Sequence, residues 1–234
     1  DRLSLSIPPA HIELLKRLKK TGKPLIAVVT AGSDVDIAAI ESYADAILLA
    51  WYPGEQGGNA VADIVFGNTS PSGRLPVTFY QSLNDLPAYE NYAVTNRTYR
   101  YFKGKLQYPF GFGLSYTSFS YQWKLRPLKN YSINDTIHFS VEVHNAGIMD
   151  GDEVLQAYIQ YPDAERMPLK ELKAFKRISV TKTATNTVYL NIPVGELQKW
   201  DLKENKWAIY PGQYQIQLGG NAADVKLETT IAIP

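Results

Sequence analysis

The sequence lacks cysteine entirely, and it contains only three histidines in 234 residues. Without thiols there is no disulfide framework, no thiol nucleophile and no cysteine-ligated metal. Secreted and cytosolic proteins can both lack cysteine, so the redox compartment stays open. The histidines are His11, His138 and His144, and no third ligand type stands at a metal-binding spacing from them. We therefore expect neither a metal nor a cofactor.

An excess of charge of one sign is also missing, because 24 basic residues face 23 acidic ones and the net charge is +1. This balance predicts no nucleic-acid partner and no attraction to an anionic membrane. No apolar run approaches the roughly 20 residues that a spanning helix needs, so we expect no membrane span. The chain begins at Asp1 without a methionine, which favours a processed product or a fragment.

Common catalytic motifs are absent as well. The sequence contains no G-x-S-x-G nucleophile motif and no glycine-rich phosphate loop after its first apolar run. Two acidic groups remain, and we interpret the first as a helix cap with a first-turn acid and the second as a solvated hairpin turn. The residues concerned are Asp34 and Asp36 in the first group and Asp150, Asp152 and Glu153 in the second. Residue types alone give no complete catalytic set.

The first half alternates helical and extended patterns. Apolar spacing predicts helices over 11–20, 34–43 and 59–66, and strands over 25–32 and 46–50. The run 25–32 is continuously apolar, as in a strand that is covered on both faces. This order predicts a mostly parallel sheet with helices on its faces.

From about residue 116 the apolar period changes to two. Predicted strands cover 116–124, 136–144, 154–161, 188–192, 213–218 and 225–233, separated by Asn, Gly, Pro and Asp turns. Short strands at this density predict an antiparallel β-sandwich. The fold class is therefore α/β plus all-β, divided into residues 1–95, an aromatic and glycine-rich linker at 96–115, and a sandwich at 116–234.

The loop after the strand at 46–50 is the best candidate for a binding site, because ligands of parallel sheets lie outside the carboxyl ends of the strands. Trp51 and Tyr52 offer flat apolar rings, while Glu55 and Gln56 offer hydrogen-bond acceptors. Neighbouring glycines allow sharp turns. The loop is typical of sugar binding. The structural alternative is that the two rings cap a hydrophobic core and the glycines only form the turn.

Two long segments resemble the hallmark segments of glycoside hydrolase family 3. They are PGEQGGNAVADIVFGNTSPSGRLPVTF at 53–79 and YPFGFGLSYTSF at 108–119. DRLSLSIP at 1–8 resembles the passage where the second domain of the family resumes after its acid/base loop. The β-rich half resembles the fibronectin type III-like domain of the family. The resemblance implies the end of an α/β sandwich domain over 1–95, followed by that β-sandwich.

Within the family, NRTYRYFKGKLQYPFGFGLSY at 96–116 is similar to a passage typical of β-xylosidases. Asn96 replaces the usual glycine of that passage. A β-glucosidase is the nearest alternative. The resemblance thus implies an exo-acting β-glycosidase that releases a terminal sugar from oligosaccharides, with a periplasmic or secreted parent.

Members of the family use a retaining mechanism with two carboxyl groups, one a nucleophile and one a general acid/base. The nucleophile belongs to an N-terminal barrel, and the acid/base stands in a loop shortly before the equivalent of Asp1. The resemblance therefore implies no catalytic residue in this chain, which would be inactive without a barrel-bearing partner portion. It implies that Glu55 and Gln56, beside Trp51 and Tyr52, lie near the barrel.

The resemblance also places Asp1 and Arg2 near the acid/base loop. Arg97 and Arg100 are interpreted as struts that anchor the linker. A different class of function remains open, in which the chain is a non-catalytic carbohydrate-binding or assembly module. Trp51, Tyr52 and Glu55 would then form its binding face.

Overall fold

The computed structural model describes residues 4–164 and 166–234, so Asp1 and Arg2 lie outside the described residues. The α-helices are α1 (Pro9–Lys19), α2 (Ile37–Glu41), α3 (Gly57–Val65) and α4 (Thr98–Tyr101), and short 3-10 helices cover Leu83–Asp85 and Val194–Leu197. The strands of the first part are β1 (Ile26–Val29), β2 (Ala46–Leu49), β3 (Phe79–Tyr80) and β4 (Leu106–Tyr108). Those of the second part are β5 (Phe119–Leu125), β6 (Thr136–Asn145), β7 (Gly151–Gln160), β8 (Glu171–Val180), β9 (Thr185–Pro193), β10 (Lys199–Asp201), β11 (Lys206–Ala208), β12 (Gly212–Gly219) and β13 (Val225–Ile233).

The first part is an α/β unit. Strands β1 and β2 pair in parallel, with Ile26 opposite Ala46 and Val29 opposite Leu49, as the order of elements predicts. Helix α2 connects them, and it begins where the Asp36 carboxylate accepts a hydrogen bond from the Ala39 amide at 3.2 Å. That carboxylate satisfies an amide that the first turn of a helix leaves unpaired. The predicted cap is therefore present, but it is Asp36, and the first turn itself contains no acid.

The prediction that the first strand is covered on both faces is wrong for the described chain. Ala27 and Val29 pack on a small core with Leu15 of α1 and Ile37 of α2, but Ile26 and Val28 are 45% and 46% exposed. Helices α1 and α2 supply side chains to the same cluster, which explains why one face of the strand is covered. The other face carries apolar side chains at the surface.

The second part is an antiparallel β-sandwich, as predicted. One sheet has the order β13-β12-β7-β8 and the other has the order β5-β6-β9. Their inner faces enclose a core in which Phe139, Leu155, Ile192, Tyr214 and Ile216 are at most 1% exposed. Six predicted strands are present, but the sequence pattern missed β8 and the β10–β11 hairpin.

The two parts are joined by an aromatic contact. Tyr99 of α4 stacks on Phe110 at 4.4 Å and meets Tyr158 of β7 edge-on at 5.8 Å. The Leu172 amide of β8 donates to the Tyr99 hydroxyl at 3.0 Å. The linker segment therefore packs directly on the sandwich.

Glu153 does not lie in a solvated turn, so that interpretation was wrong. It is 5% exposed on β7, and its carboxylate lies 3.1 Å from the Arg74 guanidinium of the α/β part. The strand begins earlier than predicted, at Gly151, so Glu153 lies within β7, at the contact between the sandwich and the α/β part. A buried carboxylate requires such a partner, and Arg74 provides the charge.

Candidate functional site

The two loops that follow β1 and β2 lie side by side, because parallel strands end at the same edge of their sheet. They touch through Gly32 and Tyr52. A Cβ atom on Gly32 would lie 2.4 Å from the Tyr52 ring, which is closer than any side chain allows. The Tyr52 ring nevertheless remains 78% exposed, so it presents an aromatic surface at this edge.

Trp51 is placed differently from its neighbour. Its backbone adopts a left-handed conformation with φ of 53°, and its ring meets Phe79 edge-on at 6.4 Å. Trp51 packs against the small core of the α/β part. The structural alternative, in which the ring caps a hydrophobic core, thus applies to Trp51. The Tyr52 ring lies at the surface instead.

Glu55 and Gln56 are exposed in the turn that leads into α3. The Gln56 side-chain oxygen accepts from the Asn59 amide at 2.6 Å. Glu55 is the only carboxylate in the segment 51–58. A retaining displacement requires two carboxyl groups about 5 Å apart, and this loop does not contain such a pair.

A pocket of about 230 Å³ with a mixed polar and apolar lining, which the sequence patterns did not predict, lies near the start of the described chain. Its lining includes Ser4, Ser6, Asp36, Asn84 and Gln107. These side chains come from four separated segments, and nothing in a single sequence links them. Ser4, which lines the pocket, follows Asp1 and Arg2 closely in the sequence, and the resemblance implies that those two residues lie near the acid/base loop.

Glu41 lies beside this pocket and binds two neighbours. It accepts from the Gln107 amide at 2.7 Å and from the Tyr108 hydroxyl. Burial, assisted by the Glu41 carboxylate, raises the pKa of Tyr108 to about 12. Tyr108 therefore stays a neutral donor at any physiological pH.

Two of the three histidines, His138 and His144, have structural partners. His138 bonds to the Asn191 side chain at 2.8 Å, and His144 bonds to the Thr185 hydroxyl at 3.0 Å. Within residues 4–164 and 166–234, no group of three or more His, Cys, Asp or Glu side chains is arranged to hold a metal ion.

The strongest electrostatic cluster surrounds Glu171 at the start of β8. Its carboxylate contacts Lys199, Lys173 at 3.2 Å and Arg100 at 3.5 Å, and it accepts from the Tyr161 hydroxyl at 2.6 Å. Burial alone would raise the pKa of Glu171, but the Lys199 and Tyr161 hydrogen bonds and the nearby lysines outweigh it and lower the pKa to about 2. Through Arg100, this cluster connects α4 to strand β8 of the sandwich.

Arg100 thus acts as a strut between the two parts, as the sequence predicts. Arg97 anchors the start of the linker to the first part of the chain. Its guanidinium donates to the carbonyls of Pro87, Ala88 and Asn91, at 3.2, 2.9 and 3.0 Å. It fixes the preceding loop rather than bridging to the sandwich.

None of the described helices is long and apolar enough to cross a membrane. Comparison with known proteins agrees with the two-part architecture. Residues 1–116 match the glycosyl hydrolase family 3 C-terminal domain, and residues 153–222 match the fibronectin type III-like domain.

Two characterised relatives illustrate the similarity. The chain is 39% identical to a xylan 1,4-beta-xylosidase of Xylanibacter ruminicola over 97% of its own length and 26% of that protein. It is 36% identical to a periplasmic beta-glucosidase of Salmonella typhimurium over 97% of its length and 31% of that protein. The chain thus spans about a quarter to a third of the length of these relatives.

A solved structure covers the same region. The family 3 beta-glucosidase of Bifidobacterium adolescentis superimposes with a TM-score of 0.92 at 30% identity, over 100% of this chain and 36% of that one. Both domains therefore match in fold as well as in sequence. The chain belongs to glycoside hydrolase family 3, of which it carries the C-terminal domain followed by a fibronectin type III-like domain.

Proposed function

We propose that this chain is the C-terminal portion of a retaining, exo-acting β-glycosidase that releases a terminal sugar from oligosaccharides, with β-xylosidase favoured over β-glucosidase. The observation that carries the proposal is the similarity to a xylan 1,4-beta-xylosidase along almost the whole chain, at 39% identity. The β-xylosidase-like passage at 96–116 supports the same preference.

In this proposal both catalytic carboxyl groups belong to other parts of the enzyme, and the chain contributes structure around them. Glu55, Gln56 and Tyr52 are exposed at the strand-end edge, and we assign them to the surface that faces the barrel. Asp1 and Arg2 would connect this part to the acid/base loop. Because positioning supplies much of the rate in such displacements, the chain alone should not turn over glycosides.

The exposed apolar face of β1 supports the proposal that another portion of the enzyme packs against it. Ile26 and Val28 are each about half exposed, at 45% and 46%. Apolar side chains in a row on a sheet face usually mark an interface. We assign this face to packing against the barrel-bearing portion, with the division at 1–95, 96–115 and 116–234 as part of the same proposal.

The location of the enzyme is also a proposal. The relative from Salmonella typhimurium is named a periplasmic beta-glucosidase, which supports a periplasmic or secreted parent here. The absence of cysteine is compatible with either compartment.

Substrate preference is tested on the chain joined to its barrel-bearing portion. The ratio of kcat/KM for an aryl β-xyloside and an aryl β-glucoside should favour the xyloside by about tenfold or more, since a pocket that fits the smaller sugar excludes an added hydroxymethyl group. A preference for the glucoside would support the β-glucosidase alternative instead. Retention of configuration, followed by NMR of the first-formed product, tests the mechanism.

A further inference from the structure

A cleft of about 610 Å³ lies between the α/β part and the β-sandwich. One side is formed by the segment after α3, from Asn68 to Ser72, and the other by the start of β7 and the end of β8. Its volume falls within the range of small-molecule sites, and such sites often occur between domains. The function proposed above does not use this cleft.

A fixed array of polar groups crosses the junction in this cleft. The Arg177 guanidinium donates to the Asp152 carboxylate at 2.5 and 2.9 Å and to the Ser72 hydroxyl at 2.9 Å. The Ser179 hydroxyl donates to the other Asp152 oxygen at 2.6 Å. Groups that are already held in place lose little entropy on binding a ligand. The Arg177 side chain is still 62% exposed, so a ligand can reach it.

The charges in the cleft are balanced. Asp150 and Asp152 stand against Arg177 and Lys182, two of each sign. An anion such as phosphate or a divalent cation would find no excess of the opposite charge here, which such ions require. The charge pattern therefore favours a neutral ligand.

The other lining groups suit a ligand that is rich in hydroxyls. Thr69 and Thr181 add hydroxyl groups to those of Ser72 and Ser179. Ile148 is 91% exposed at the cleft and offers an apolar contact for the C–H face of a sugar ring. Hydroxyl, amide, carboxylate and guanidinium groups can form hydrogen bonds with the hydroxyls of a saccharide, while the apolar side chain contacts its ring.

We propose that this cleft binds a neutral oligosaccharide that contacts both parts of the chain at once. The choice of β-linked xylose or glucose units rests on the proposed function, whereas the ligand class rests on the residues of the cleft. A bound sugar would bridge Asn68 and Ser72 on one side to Arg177 and Thr181 on the other.

The proposal is tested by titrating the ¹⁵N-labelled 234-residue chain with xylotetraose, with cellotetraose and, separately, with inorganic phosphate. At millimolar sugar we expect amide shifts in 68–72, 148–152 and 177–182, and no comparable shifts with phosphate. Three results would overturn the proposal: no shifts with either sugar, shifts confined to the β10–β11 hairpin around Trp200 and Trp207, or larger shifts with phosphate.

Variants on both sides of the cleft locate the site. Thr181→Ala and Asn68→Ala should each weaken sugar binding about threefold or more, as expected for one lost hydrogen bond. Thr230→Ala is the matched control, because β13 is the opposite edge of the four-stranded sheet from β8. Equal affinity in all three variants would contradict the assignment. This assay measures binding without the barrel-bearing portion, so its failure would leave the activity measurements unaffected.

Discussion

Gly111 lies at a point of the junction between the two parts that leaves no room for a side chain. Its φ is +81°, and an added Cβ would lie 2.3 Å from the side-chain oxygen of Gln156. Gln156 is buried, accepts from the Tyr158 hydroxyl at 2.5 Å and donates to the Gly111 carbonyl at 3.4 Å and to the Gly220 carbonyl. A Cβ would therefore disturb a buried hydrogen-bond network.

We expect Gly111→Ala to lower the free energy of unfolding by about 2 to 4 kcal/mol, the sum of backbone strain and a broken buried network. Urea unfolding measures this. Gly67→Ala is the matched control, since Gly67 has φ of +77° but no atom within 4 Å of its Cβ position. That variant should cost only about 1 kcal/mol of strain. Equal losses in both would show that the Gln156 contact contributes nothing.

Glu171 makes the stability of the protein depend on pH. Its pKa is about 2 in the folded state against 4.5 ordinarily, so its contribution is complete above about pH 4.5 and is lost as the pH falls towards 2. Glu171→Gln should lower the unfolding free energy by about 3 kcal/mol at pH 7 and by much less near pH 2. Unfolding at both pH values measures the difference. A gap that stays constant with pH would contradict the assignment.

A control for Glu171→Gln is available at the surface. Glu204 is 65% exposed and pairs with Lys206 at 3.5 Å. Exposed pairs contribute little because water screens them. Glu204→Gln should therefore leave both stability and its pH dependence unchanged.

At the scale of elements, the short helix α2 depends on its cap. The Asp36 carboxylate accepts from the Ala39 amide at 3.2 Å, and the helix that follows has only five residues. Asp36→Ala should cost about 1 kcal/mol, whereas Asp36→Asn should cost much less because asparagine is also a good cap. Thermal unfolding of the three proteins tests this order, and equal losses for both variants would contradict it.

Elements with strong periodicity were predictable from sequence. The apolar stripe of α1 and the alternation in β6 and β13 gave those elements to within a few residues. Strand β8 was missed because Phe175 and Lys176 interrupt its alternation of apolar and polar residues, and charged side chains are common in edge strands. Strands β10 and β11 have three residues each, too few for a pattern.

At the scale of the whole molecule, the sequence predicted the order of the two parts, but it could not predict the contacts between them. Glu153 was interpreted as a surface acid because only the fold brings Arg74, distant in sequence, to 3.1 Å from it. The pocket beside Ser4 and the cleft beside Arg177 likewise combine distant segments. The candidate loop at Trp51 to Gln56 was predictable because it is contiguous and follows a strand end.

We propose that this chain shapes a glycosidase site without containing its catalytic pair. The most direct test measures hydrolysis of an aryl β-xyloside by the 234-residue chain alone, by its barrel-bearing portion alone and by the two together. We expect turnover only when both portions are present, because only then are the two carboxyl groups held in position around one sugar ring. Turnover by the isolated chain at the rate of the combined portions would contradict the account.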